Sequence, residues 1–464
     1  TLLNHNPNSI NTKDNQSNAV NPFRLGRSQA ATADQGHGYT QEQQAFDAGL
    51  MDAFPRYTGI PGLAAQKQRA AKVAGAPPEY LEQSKGLVMG YYDGNTVTAF
   101  WNYAQRYSLS DNSYGSVFGP STPGAIDLIS GQTNGVSDHA NAGSTVTDGG
   151  DGTITMIGDG DPIGDLCSLT TGPQVLLSGR NIGEMLSERG VTWGWFEAGF
   201  DLTKKNPNGT TGCARSTYSN VTHLTFRDYI PHHQPFQYYK ETSNPTHLRP
   251  SSVSLIGKDS DRARHQYDVD DFFAAVKAGS FPSVSFLKAP AYQDGHAGYS
   301  DPLDEQTFLV HVIDFLERQE EWKDTAVILA YDDSDGWYDH QMGPIVNQSA
   351  GKTDALTGPG QCGGNAENAL PGPKAAHALG RCGYGTRLPL LVISPFARRN
   401  YVDHTLTDQT SILRFIEDNW LGGERVGQGS FDSIADPITG MFDFQHPDAR
   451  KYILDESTGE VVQQ

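Results

Sequence analysis

The sequence predicts an α/β protein with a central, mostly parallel sheet flanked by helices on both faces. Three observations predict it. Short apolar runs bounded by Pro, Gly or charge recur along the chain, as in Ser283-Val-Ser-Phe-Leu, Ala326-Val-Ile-Leu-Ala-Tyr and Leu388-Pro-Leu-Leu-Val-Ile-Ser, and strands buried in a sheet read this way. Other stretches return their apolar residues at three- and four-residue steps, as in Thr307-Phe-Leu-Val-His-Val-Ile-Asp-Phe-Leu and Ser411-Ile-Leu-Arg-Phe-Ile-Glu, the signature of a helix with one face on a core. The two patterns alternate, which is the order of a sheet covered by helices.

Taken in order, residues 1–35 form a polar N-terminal segment, with Thr1 to Val20 rich in Asn and Ser and reading as a loop. A helix is expected over Thr40–Phe54, a strand over Leu87–Tyr91 and a helix over Thr96–Tyr107. A strand over Thr153–Ile157 lies within the Gly- and Asp-rich stretch Thr147–Asp161, which otherwise reads as surface loop. Helix Asn181–Arg189 and strand Val191–Phe196 follow, then helix Val269–Ala278 and strand Ser283–Leu287. Helix Asp304–Gln319 and strand Ala326–Tyr331 come next. A long loop over Asn347–Gly372 leads to strand Leu388–Ser394 and helix Asp408–Trp420. No internal repeat or low-complexity linker divides the chain, so residues 1–464 read as a single domain.

Composition narrows the function. The 34 basic against 54 acidic residues give a formal net charge of -20, which repels nucleic acid and anionic bilayers at long range. A site for an anionic ester must therefore gather positive charge locally, through histidines or a bound cation. No run approaches the roughly 18 consecutive apolar residues of a membrane span, so stable membrane insertion is not expected. The four cysteines fall into sequence-local couples in loop-like surroundings without a C-x-x-C, so bridges are expected between Cys167 and Cys213 and between Cys362 and Cys382. That favours an oxidising compartment, secreted or periplasmic.

Three segments carry chemistry. In Ala330-Tyr-Asp-Asp-Ser-Asp-Gly-Trp-Tyr-Asp-His340 two adjacent carboxylates, Asp332 and Asp333, directly follow a buried-looking strand. Ligands of open α/β sheets gather at the carboxyl ends of strands, and paired buried carboxylates call for a cation. One divalent metal would serve; a solvated Asp-Gly turn is the bland alternative. In Gly119-Pro-Ser-Thr-Pro-Gly124, Pro123 suits a first helical turn. Ser121 and Thr122 would then stand at a helix N-terminus, which favours phosphate, although an ordinary cap reads the same. The segment is not a G-x-S-x-G elbow, which argues against a standard α/β-hydrolase. Histidines beside Gly or Pro form the third group: His37, His232, His233 and His296, placed to bind a ligand or move a proton.

Together these segments, with Ala45-Phe-Asp-Ala-Gly-Leu-Met-Asp52 and Met89-Gly-Tyr-Tyr, resemble the bacterial phosphoesterase family of acid phosphatases and phospholipases C, from about Gly36 to Trp420. The resemblance implies an alkaline-phosphatase-like α/β fold. It implies Ser121 as nucleophile, and Asp332 and Asp333 holding the metal together with the Ser121 oxygen. His37, His233 and His296, with His232 and Thr122, would bind phosphate oxygens or protonate the leaving group, and a phosphoserine would form and be hydrolysed. Family members begin with a strand ending in a Glu-Asn pair that also binds the metal. No such pair occurs between Thr1 and Gly36, so the upstream family segment is expected to be a cleaved partner from the same precursor, to have been trimmed, or to lie outside the given chain.

Within the family, the Ser-containing motif looks closer to the phosphatase branch. The expected activity is broad-specificity hydrolysis of phosphate monoesters. A phospholipase C acting on phosphocholine-type diesters is the alternative, in which Trp193-Gly-Trp-Phe196 would contact a choline head group through cation–π contacts rather than form a core strand. A reading from another class is a non-catalytic secreted protein that binds calcium or sugar through Asp148–Asp161, with Asp151 and Asp159; the EF-hand pattern is missing.

Overall fold

Local capping and apolar spacing set the helices. The computed structural model describes residues 11–59, 86–363, 372–373 and 377–464, so parts of the two expected loops, residues 1–10 and 364–371, lie outside the described residues. Helix α1 is Tyr39–Phe46. It ends before the expected Phe54 because Asp47 and Ala48 adopt left-handed φ of 45° and 53°, which no L-residue helix continues through. Helix α2 spans Thr98–Arg106, strand β1 Ser108–Ser110 and helix α3 Ser121–Ser130. Helix α4, Ile182–Glu188, is capped by the Asn181 side chain, which accepts from the Glu184 amide. Strands β2, Trp193–Glu197, and β3, Gln266–Tyr267, precede helix α5, Val269–Lys277. Strand β4 is Val284–Lys288, and helix α6, Pro302–Glu317, opens on Asp301 as cap and Pro302 in the first turn. Strands β5, Val327–Ala330, β6, Leu390–Ile393, and β7, Tyr401–Asp403, lead to helix α7, Thr410–Trp420.

The protein is α/β. Among the described residues its main strands form two small sheets in place of the single central one expected. One runs β3-β2-β4, all parallel, with Trp195 opposite both Gln266 and Phe286. The other runs β5-β6-β1-β7, in which β6 is antiparallel to both neighbours and β1 and β7 are parallel. Strands β4 and β5 are edge strands of their sheets, and a 2.9 Å ion pair between Lys288, which ends β4, and Asp332, just past β5, ties their carboxyl ends.

Helices cover both faces of the β2 sheet. Ile126 and Ile129 of α3, Met185 and Leu186 of α4 and Leu413 and Ile416 of α7 pack with Trp193, Trp195, Val284 and Phe286. On the other face Phe272 and Val276 of α5 and Val310 and Ile313 of α6 pack with Phe196 and Tyr267. Each such buried side chain contributes about 1.5–3 kcal/mol of burial free energy. The segment Trp193–Glu197 is thus a core strand, wholly buried.

The N-terminal segment is more engaged than its polarity suggests. Thr12–Asn15 forms one helical turn, Phe23–Leu25 pairs in parallel with Gly90–Tyr92, and Ala30 to Gln35 are buried. The expected strand at Leu87–Tyr91 accordingly begins later, after a turn at Leu87–Met89. Both expected disulfides are present, Cys167–Cys213 and Cys362–Cys382. No helix among the described residues is long and apolar enough to cross a membrane.

Candidate active site

Two chain turns converge on one hydroxyl. Pro120 is extended and α3 starts at Ser121, so the serine stands at a helix mouth, 4% exposed. Its Oγ donates to Asp333 Oδ2 at 2.8 Å. Asp333 sits there because β5 ends at Ala330 and the chain turns through Asp335, whose φ is 50°. The next residue must be small. Gly336 has φ 73°, and a Cβ on it would stand 2.3 Å from the Gly36 carbonyl oxygen; only glycine permits that approach. The acidic turn is thereby pressed against the segment bearing His37.

His37 Nδ1 donates to the Gln35 carbonyl at 2.8 Å. Its ring meets that of His296 edge-on, 5.4 Å between centroids. His296 Nδ1 donates to the Ala297 carbonyl at 2.6 Å, while Nε2 faces Asp335 Oδ1 at 3.4 Å. Ligand atoms of His37, Asp333 and Asp335 lie within 4.8 Å of one another, as do those of Asp34, His37 and His296. Burial opposes charge on His37, but Asp333, Asp335, Asp34 and Asp159 outweigh it and push the imidazole up to about 10. Burial, then the Asp335 charge, pushes the Asp333 carboxyl up to about 7. Both shifts report an acidic pocket that calls for a cation, and oxygen donors with one imidazole suit a divalent metal.

The other expected residues approach from α3's far side. His232 and His233 sit on the turn Pro231–His233. His233 lines the same cavity as Ser121, with Nδ1 3.7 Å from Asp294 Oδ2. Burial, then the nearby Lys288 charge, holds it well below the usual imidazole range, so it is neutral. His232 Nδ1 lies 3.2 Å from Asp161 Oδ1. Thr122 is occupied: its amide and Oγ1 donate to Asp159 Oδ1 at 3.1 and 2.8 Å, and Oγ1 also lies 3.2 Å from the His232 carbonyl. Asp332, by contrast, points away from its neighbour's partners and accepts from Lys288 Nζ at 2.9 Å.

Several residues here were not singled out from sequence. Lys288 follows an expected strand directly, so an ionisable residue at a strand's carboxyl end was the available signal. Glu42 on α1 is buried and accepts from the Gly119 amide at 2.9 Å and the Ser334 hydroxyl at 2.7 Å, joining the serine turn to the acidic turn. Burial pushes it up to about 8. Its only signal was a carboxylate on an otherwise half-apolar helix. The cavity itself measures about 670 Å³, and its outer wall is aromatic, including Tyr91, Phe100, Trp101 and Trp337.

The model of the Phosphoesterase family matches residues 4–421. The chain is similar to the non-hemolytic phospholipase C of Pseudomonas aeruginosa, 23% identical over 412 residues, covering 89% of this chain and 48% of that protein. It is 26% identical over 364 residues to the hemolytic phospholipase C of the same organism, covering 77% of this chain and 43% of that one. The chain thus spans about half the length of these curated relatives. Among solved structures, a phosphonate monoester hydrolase from Silicibacter pomeroyi aligns with a TM-score of 0.33 and 13% identity, over 75% of this chain and 73% of that one.

Proposed function

The chain belongs to the Phosphoesterase family, and from that premise we propose that it hydrolyses phosphate monoesters with broad specificity through a phosphoserine at Ser121. The observation that carries the reading is the 2.8 Å hydrogen bond from Ser121 Oγ to Asp333 at the mouth of α3, inside a cavity that His233 and His296 also line.

In this reading Ser121 Oγ attacks phosphorus, the ester oxygen leaves with a proton from an imidazole, and water later cleaves the phosphoserine. The roles follow from position. Asp333 holds the hydroxyl and takes up its proton. His296 and His37 present Nε2, since each Nδ1 is spent on a carbonyl; a cationic His296 is suited to phosphate oxygens or to protonating the leaving group, while His37 would give up its proton to bind a metal. Neutral His233 is suited to donate a hydrogen bond. Asp159 and Asp161 position Thr122 and His232. Asp333, Asp335 and His37 would hold one divalent metal, with Asp332 next along the chain. Such a metal would lower the hydroxyl's pKa and neutralise phosphate charge.

The two disulfides fit a secreted or periplasmic protein. A second reading, phospholipase C activity, is favoured by the names of the relatives and by the aromatic outer wall. Rates on 4-nitrophenyl phosphate and on phosphatidylcholine separate the two: turnover of the monoester is expected, and turnover of the lipid alone would reverse the assignment.

A further inference from the structure

The carboxylate of Glu42, on α1 and 2% exposed, sends its two oxygens to two different turns. Oε2 accepts from the amide of Gly119, two residues before Ser121, at 2.9 Å, and Oε1 accepts from the hydroxyl of Ser334, one residue after Asp333, at 2.7 Å. We propose that Glu42 is a positioning residue that sets the approach of the Ser121 hydroxyl to Asp333 without touching the substrate. The proposal rests on Ser121 as the nucleophile, as read above, and names the group that holds it in place.

The contacts close a ring. Ser121 Oγ donates to Asp333 Oδ2 at 2.8 Å, the chain runs on from Asp333 to Ser334, and Glu42 returns from Ser334 to Gly119 and so to Ser121. In a closed ring one link cannot lengthen unless another gives, so the Glu42 brace limits the separation of the nucleophile from its partner. The links beside it are stiff. Pro120, between Gly119 and Ser121, has its φ fixed by its ring, so a shift of Gly119 carries through to the serine. The Ser334 hydroxyl also accepts from the Gly336 amide at 3.2 Å, and the Ser334 carbonyl accepts from the Trp337 amide at 3.0 Å.

Glu42 is not part of the wall of the cavity that Ser121 lines, which makes it a support and not a contact of the substrate. A second tie joins the same two segments farther along the chain from Ser121. Gln409, which precedes α7, accepts from the Ser116 amide at 3.0 Å, and its Nε2 donates to the Tyr331 and Asp332 carbonyls at 3.2 and 2.5 Å. Loss of Glu42 therefore loosens the nucleophile and leaves the turns together. Glutamine can keep the ring closed, since its oxygen accepts from the Gly119 amide while its amide nitrogen donates to the Ser334 hydroxyl oxygen. Alanine opens the ring and strands the Gly119 amide.

The test uses the full chain with its metal supplied and 4-nitrophenyl phosphate, or bis(4-nitrophenyl) phosphate should the wild type cleave only diesters. Glu42→Ala should lower kcat by about 100-fold while KM and the Ki of inorganic phosphate stay within about threefold of wild type. Glu42→Gln should hold kcat within about threefold. Ser334→Ala, which cuts one arm, should lower kcat by about tenfold, and adding it to Glu42→Ala should cost little more. A glutamine variant as slow as the alanine one would mean that the charge acts, and overturns the positioning role. Additive losses, or a rise in KM and Ki that matches the fall in kcat, overturn it too. A wild type that forms no acid-stable phosphoserine at Ser121 removes the nucleophile reading and this assignment with it. Phosphoserine in the wild type with an undiminished kcat in Glu42→Ala overturns the assignment alone. Should Glu42→Ala fail to fold, Ser334→Ala decides: an unchanged kcat there overturns the proposal.

Discussion

At the scale of single residues, the sequence reading and the structure meet most closely around Ser121. Gly119-Pro-Ser-Thr-Pro-Gly124 was legible because proline in a first turn places the serine at a helix mouth whatever the distant context, and the structure starts α3 there. Ser121→Ala should therefore lower kcat by at least about 10⁴-fold with an unchanged melting temperature, and acid-quenched phosphoserine should vanish with it; residual phosphoenzyme would point to another nucleophile. The direction of Asp332 was not legible, because which way a carboxylate turns after a strand depends on Lys288 from a neighbouring strand. Asp127, deeper on α3, was equally silent. It is fully buried, neither of its oxygens has a hydrogen-bond partner among the described residues, and burial pushes it from 3.8 up to about 8 against the opposing charge of Arg381. Its folded pKa lies above its unfolded one, so the native state holds a proton that the unfolded chain releases. Stability is present in full below 3.8 and is lost as pH rises toward about 8. Asp127→Asn should flatten that fall, gaining on the order of 2 kcal/mol at pH 8 relative to pH 4, as read from urea midpoints; parallel pH profiles would rule it out.

At the scale of elements, long amphipathic segments were readable and short polar ones were not. Helices α2, α4, α5, α6 and α7 lie within one or two residues of where apolar spacing puts them, the usual play at helix ends. Strands β1, Ser-Leu-Ser, and β7, Tyr-Val-Asp, carry no apolar run and exist because they pair with each other and β1 pairs with β6. The direction of β6 was also unreadable: a strand reached through a long loop can enter a sheet either way. The α7 helix gives a direct measure of packing. Leu413 is fully buried and packs with Trp193 and Ile126 in the cluster that also holds Ile129 of α3. Leu413→Ala should cost about 3 kcal/mol of stability while kcat/KM of the folded fraction stays within about twofold of wild type; a large kinetic loss at full folding would mean that α7 sets the position of α3.

For the whole molecule, charge and cysteine usage were informative where sheet order was not. The net charge of -20 requires local cations in any site for a phosphoester, and the histidines and Lys288 supply them. The division into two sheets could not be foreseen, since pairing between strands far apart in sequence leaves no periodic trace. The cysteine pairing could, because loop locality limits it. The two bridges close stretches of 46 and 20 residues, which on chain-entropy grounds are worth about 4 and about 3 kcal/mol. Their consequences for catalysis should differ more than their stabilities. Cys167 anchors a segment that also carries Asp159 to Thr122, Asp161 to His232 and Asp165 to the fully buried His247, at 2.8, 3.2 and 3.1 Å. Cys362 and Cys382 pack instead with Tyr39, Phe46 and Phe118 beneath α1. Cys167→Ser with Cys213→Ser should therefore raise KM for a phosphate monoester by about tenfold at a temperature where the protein is still folded, as positioning of the His232–His233 turn relaxes. Cys362→Ser with Cys382→Ser should lower the melting temperature with little change in KM, and equal kinetic effects from both pairs would mean that the Asp159–Cys167 segment holds its place without the bridge.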